Sequence, residues 1–220
     1  MMMRRMRTDS DVLYVELKSN EYMNLNELRD EAYECAVAHG WHEEELSNEH
    51  WLWLIITELA EATEADRKGK HANIDRFNTG VELRMKEMEI HGDSLNYDFI
   101  DLFECCIKGS VEEELADACI RLLDLSGLRN IDLSSVSFPI SNSKEHIESR
   151  KKLTFTEWCY DVSQVIARYK NCSYPLGYLI IGILQEICCM AEIMNIDILW
   201  HIEQKMMYNE DRPYKHNKSY

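Results

Sequence analysis

Only 3 prolines and 8 glycines interrupt 220 residues, too few for a protein built from many short strands and tight turns. A chain so sparsely punctuated is confined to long helices with few connections. Its length suits one domain, or one core with an added lobe. Its apolar fraction of 45% and charged fraction of 29% are those of an ordinary globular protein.

Apolar periodicity places the helices. The first is expected over Leu25 to His39, capped by Asn24 and stopped by Gly40, with Leu28, Ala32, Cys35 and Ala38 as its stripe. A second runs from Glu49 to Lys68 and ends at Gly69. From Lys70 to Gly109 the pattern weakens to a short charged helix over Val81 to Ile90 within a long connection. A third helix, Ser110 to Ser126, opens on a Ser110/Glu113 capping box and closes at Gly127. Residues 134–152 are rich in Ser and charge and read as a linker. Two more helices follow, Thr156 to Tyr169 and Pro175 to Met194, and a last one starts after Asp197 and ends before Pro213.

Two internal echoes organise the second half. Leu128-Arg-Asn-Ile-Asp-Leu133 repeats in Ile193-Met-Asn-Ile-Asp-Ile198, so the chain reaches the same kind of helix exit twice. More weakly, Leu179 to Glu186 resembles Leu54 to Glu61 with one carboxylate lost. The hairpin between the exits then reads as an insertion that supports the fold and carries no chemistry.

The formal charge is -16, from 40 acidic against 24 basic residues. That balance argues against stable nucleic-acid binding, which needs clustered Lys and Arg, but not against phosphate-ester chemistry, because bound cations can invert a local field. The 8 cysteines form no C-x-x-C pair and read as reduced core thiols. The start is basic without the apolar stretch of a signal peptide, and the apolar run from Leu176 to Leu184 is broken by Gln185 and Glu186. A cytoplasmic protein with no membrane partner is expected.

The second helix carries the chemistry. At 3.6 residues per turn, Trp51, Leu54, Ile55, Ala62 and Ala65 share one face; Glu58 lies in its middle and Glu61 at its edge. A Glu is almost never buried unpaired, so carboxylates placed inward require a cation. The third helix supplies a second pair at i, i+3, Glu114 and Asp117. On their own, such pairs also occur as Lys- or Arg-matched structural acids or as solvated faces. Together they can present four oxygen donors to one space, a set that suits Mg²⁺, with Mn²⁺ as the other candidate.

Leu54-Ile-Ile-Thr-Glu-Leu-Ala-Glu-Ala-Thr-Glu-Ala-Asp-Arg-Lys-Gly-Lys70 resembles the metal-binding helix of MazG-like nucleotide pyrophosphohydrolases. Glu114-Leu-Ala-Asp-Ala-Cys-Ile-Arg-Leu-Leu-Asp124 is similar to the E-x-x-D helix of that family, and His201 to His216 to its closing segment. The resemblance implies an all-α antiparallel helical bundle, shared with dimeric dUTPases and dCTP pyrophosphatases, over residues 20–220. It also implies Mg²⁺-dependent cleavage of a nucleoside triphosphate to the monophosphate and pyrophosphate, by a homodimer or homotetramer. Against that pattern, the stretch 70–110 is a long charged insertion between the metal helices, and 134–195 adds a linker and a helical hairpin.

On this reading Glu58, Glu61, Glu114 and Asp117 hold the metal, and Glu61 orients the attacking water with Glu58 beside it. Lys205, Asn209 and Arg212, on one face of the last helix, would grip phosphates, though Lys and Arg also suit a helix C-terminus for its dipole alone. Trp41 and His42, in the turn before the metal helix, are the open candidates for the base, while Trp51 shares the inward face and reads as core. Two other classes compete. A di-iron carboxylate bundle needs Glu-x-x-His pairs, and no Glu here has His three residues later. A non-catalytic helical module for nucleotide sensing or protein assembly remains the alternative.

Overall fold

Side-chain caps fix where most of the helices begin. The computed structural model describes residues 23–91, 96–171 and 174–217, and nine α-helices are present among them. They are α1 (Leu25–Ala38), α2 (Asn48–Arg67), α3 (Ile74–His91), α4 (Asn96–Cys106) and α5 (Val111–Leu128). The chain continues through α6 (Lys144–Arg150), α7 (Phe155–Ala167), α8 (Leu176–Met194) and α9 (Ile198–Glu210). Asn24, Ser47, Ser110, Thr154 and Asp197 each accept a backbone N–H of the first turn they precede. Two short strands, β1 (Met23–Asn24) and β2 (Ser137–Phe138), pair antiparallel and tie the start of α1 to the segment after α5. Apart from that pair, the regular structure of the described residues is all helical.

Helix α5 is the centre. Its Leu115, Ala118, Cys119 and Leu122 are fully buried, and α1, α2, α8 and α9 all pack against it. Leu28 and Ala32 of α1, Ile55, Leu59 and Ala62 of α2, Ile183 and Ile187 of α8, and Ile198 and Ile202 of α9 complete one core. Each such Leu or Ile stabilises the fold by about 1.5–3 kcal/mol relative to an exposed one. Helix α7 covers the outer side of α2 through the fully buried Trp158 and through Val162.

Four local expectations are corrected. The stretch between Lys70 and Gly109 is not mainly connection, because α3 and α4 form a second, smaller core of Phe77, Phe103 and Ile107 against Tyr208 of α9. Phe99, Phe103 and Ile107 recur every four residues, an apolar stripe that the surrounding charge obscures in sequence. Gly127 does not stop α5, which continues to Leu128. A Cβ at Gly127 would come within 2.5 Å of Tyr33 Cβ, so this glycine permits the close approach of α1 to α5. The Ser110 capping box is half made: Ser110 accepts the Glu113 N–H at 3.2 Å, but the Glu113 carboxylate accepts the Gly109 N–H. Residues 134–152 hold β2 and α6 as well as linker.

The repeated exit has a common geometry. Asn130 and Asn195 both adopt left-handed backbone, with φ 51° and 57°. The next N–H returns to the helix in both places, Ile131 to Ser126 O at 2.9 Å and Ile196 to Ala191 O at 2.8 Å. Between these exits, Glu186 of α8 accepts from Arg150 Nη2 at 2.7 Å and from Trp158 Nε1 at 3.3 Å. Helix α8 is long and apolar enough, by length and composition, to cross a membrane despite Gln185 and Glu186, with 44% of its most apolar stretch buried inside the fold.

Candidate metal centre

Three acids in succession open α5, and the fold sends each to a different place. Glu112 accepts from Ala72 N at 2.9 Å and lies 3.0 Å from His71 Nδ1, pinning the segment that enters α3. Glu113 turns toward α9 and pairs with Lys205. Glu114 faces α2, where Glu58 and Glu61 approach from one helical turn. All three are buried, at 8%, 3% and 7% exposure. Their place in the first turn of a helix favours negative charge.

Glu58, Glu61 and Glu114 each bring one carboxylate oxygen within 4.8 Å of the other two, and Glu113, Glu114 and Asp117 do the same. Both triads line a cavity of about 310 Å³. Of the nine residues nominated from sequence, eight line it: Glu58, Glu61, Glu114, Asp117, Lys205, Asn209, Arg212 and Trp41. His42 does not. Its side chain is 6% exposed, with Nε2 2.6 Å from Asp124 Oδ1 and its ring against Tyr33 and Trp51. Its assignment as an open contact for the base is therefore corrected: it is a packed residue orienting Asp124. Trp51 is buried as expected and Trp53 is 61% exposed.

Two of the four carboxylates already have cationic partners. Arg121 Nε donates to Glu58 Oε1, and Lys205 Nζ lies 2.7 Å from Asp117 Oδ2 as well as against Glu113. Lys205 is 4% exposed, so it is a buried ion-pair centre as well as a residue of the cavity lining. Among the described residues, Glu61 and Glu114 form no ion pair. Lys108 and Arg212 complete the basic lining. Both lie over the Tyr208 ring, at 5.4 and 5.7 Å from its centroid, and Lys108 Nζ donates to the Tyr208 hydroxyl at 3.0 Å.

The electrostatics report an excess of negative charge. Burial first, then Glu113, Asp117, Glu61 and Glu58, push the Glu114 carboxyl up to about 9. Burial also raises Glu58 against the pull of Arg121, with Asp117 and Glu61 adding to the rise. It raises Glu113, again helped by Asp117 and opposed by Lys205. Burial works against the Lys205 charge, yet Asp117 and Glu113 hold its pKa above the ordinary lysine value. Acids and base alike are biased toward their protonated forms. A divalent cation relieves that bias directly.

Sequence reasoning missed Glu113, Arg121, Lys108 and Asp124 as lining residues. Arg121 was within reach, because it follows Asp117 by four residues on the same helix. Two buried polar atoms on lining residues have no hydrogen-bond partner, Trp51 Nε1 and Asn209 Oδ1. Compared with known proteins, the chain matches no family model, no curated protein and no solved structure.

Proposed function

We propose that this chain is a Mg²⁺-dependent nucleoside triphosphate pyrophosphohydrolase of MazG-like type, releasing the monophosphate and pyrophosphate. The observation that carries the reading is the convergence of Glu58, Glu61 and Glu114 oxygens within 4.8 Å, with Glu61 and Glu114 free of ion pairs among the described residues. Glu114, buried without a matching base beside the exposed Glu61 and the Arg121-paired Glu58, fits a hard cation, and an all-oxygen donor set suits Mg²⁺ or Mn²⁺. Asp117, the fourth acid expected from sequence, has one oxygen on Lys205 and groups with Glu113 and Glu114 rather than with Glu58 and Glu61.

When bound, the ion supplies charge neutralisation and Lewis-acid polarisation at phosphate oxygens. The chain's own groups do the rest. The Arg121 side chain is 34% exposed, so it can release Glu58 by swinging into solvent. Lys108 and Arg212, held over Tyr208, bind the outer phosphates through charge-assisted hydrogen bonds. Glu61, exposed at the mouth, orients the attacking water. Trp41, which also lines the cavity, offers a face for the base. A cytoplasmic homo-oligomer, dimer or tetramer, is part of the proposal. Seven free cysteines among the described residues support the compartment, and the open groove of about 850 Å³ between α7 and α8 supports assembly.

A non-catalytic nucleotide-sensing or assembly module on the same fold is the second reading. It is favoured by the pairs Arg121–Glu58 and Lys205–Asp117, which neutralise two of the four acids. Incubation with a panel of deoxynucleoside triphosphates and Mg²⁺ separates the two. The enzyme reading expects pyrophosphate and monophosphate in equal amounts, abolished by a chelator. Glu114→Gln should reduce the rate by more than about 100-fold, the upper range for residues that only hydrogen-bond to a metal's ligands. Binding without turnover of any triphosphate favours the module.

A further inference from the structure

The cavity contains two acidic triads with a shared member. Glu58, Glu61 and Glu114 form one, and Glu113, Glu114 and Asp117 the other. Two cation positions bridged by a common carboxylate resemble the layout of two-metal phosphoryl-transfer centres, in which the ions sit about 3.5–4 Å apart. Here the two positions are not equivalent. The second is filled by the chain itself, because Lys205 Nζ pairs with Glu113 and lies 2.7 Å from Asp117 Oδ2.

We infer that Lys205 is a resident cation standing in the second position, so that the centre takes a single divalent metal, held by Glu58, Glu61 and Glu114. The inference rests on the metal reading above. Lys205 is not a surface lysine in passing contact. It is 4% exposed, and its ammonium lies 5.8 and 5.6 Å from the Phe103 and Tyr208 ring centroids. A second metal would have to expel this ammonium from between two carboxylates into an aromatic wall. An ammonium has three N–H donors. Glu113 and Asp117 take two, which leaves one for an oxygen of the bound phosphate. The cavity shows independent signs of a ligand: Trp51 Nε1 and Asn209 Oδ1 lack partners, on side chains 7% and 9% exposed.

The inference explains the position of Lys205 in a way that a simple structural pair does not. A lysine serving only to neutralise Glu113 would need no second carboxylate, whereas this one sits on the acid that also borders the metal. A covalently attached cation keeps that position charged at any metal concentration, so occupancy of the centre depends on one ion.

Titration of the full chain with Mn²⁺, counting bound ion by the loss of the free-ion electron paramagnetic resonance signal, tests this. The expected result is one tightly bound Mn²⁺ per chain in the wild type, one in Lys205→Arg, and two in Lys205→Ala. Two in the wild type or in Lys205→Arg would overturn the inference while leaving the metal reading intact. So would a single ion in Lys205→Ala that circular dichroism shows to be folded. If Lys205→Ala does not fold, the counts for the wild type and Lys205→Arg still decide. No bound Mn²⁺ in the wild type sinks the metal reading itself and the inference with it.

Discussion

Glu114 stands where burial and like charge act together, and its proton has a measurable consequence. Its pKa rises from 4.5 to about 9 on folding. A carboxyl whose folded pKa lies above its unfolded value holds its proton more tightly when folded. Its contribution to stability is complete below the unfolded pKa and is lost as pH climbs through the folded one. Between about pH 5 and pH 9, therefore, the metal-free wild type should lose thermal stability more steeply than Glu114→Gln, whose side chain does not titrate. Melting curves at fixed ionic strength check this, and parallel slopes for the two proteins contradict it. Because a metal binds the carboxylate form, Mg²⁺ should raise the melting temperature more at pH 8 than at pH 6. Glu58→Gln should abolish turnover while changing stability by no more than about 1 kcal/mol. The amide still accepts from Arg121 and removes one charge from a crowded acidic site. A large loss of stability in urea unfolding would mean that Glu58 serves the fold.

At this scale the sequence was informative about Glu58 and silent about Glu113. An acid in the middle of an apolar face has no ordinary solvated explanation. A run such as Glu112-Glu113-Glu114 at a helix start does, since it suits the dipole. The three diverge only because His71, Lys205 and the α2 carboxylates approach from three sides, and that is tertiary information. The same holds for His42: a turn residue reads as open until Asp124 and Tyr33 are seen to enclose it.

Among the elements, α1 and α5 meet through Gly127. Gly127→Ala should destabilise by about 1–3 kcal/mol through overpacking against Tyr33, despite the roughly 1 kcal/mol that Ala gains over Gly inside a helix. Chemical denaturation measures it, and a stabilised variant would mean that the approach is slack. Asn195, in left-handed backbone at the end of α8, should tolerate Gly but lose about 1 kcal/mol as Ala. Equal stability for the two variants would remove the exit geometry as a source of specificity. The paired exits were legible because Asn-Ile-Asp recurs after each apolar stripe. Helix starts were legible to within a residue or two where Asn24, Ser110 and Asp197 announce a cap. Helices α3 and α4 were not, because their apolar residues face a separate small core on α9 and are too few to dominate a charged stretch.

At the scale of the whole molecule, one core positions two carboxylate-bearing helices, and α9 brings the Lys205 cation to them. Binding to the folded state alone stabilises by mass action. At Mg²⁺ one hundred times its dissociation constant the gain is about 2.7 kcal/mol, and the melting temperature should rise and then fall again on chelation. Glu61→Gln should lose most of that rise, and an unchanged response would take Glu61 out of the site. The most direct test of the central claim is anomalous diffraction from crystals grown with Mn²⁺. The account predicts a peak bounded by the Glu58, Glu61 and Glu114 carboxylates, with Arg121 withdrawn from Glu58. Density with no peak in that cavity, and Arg121 still seated on Glu58, would contradict it.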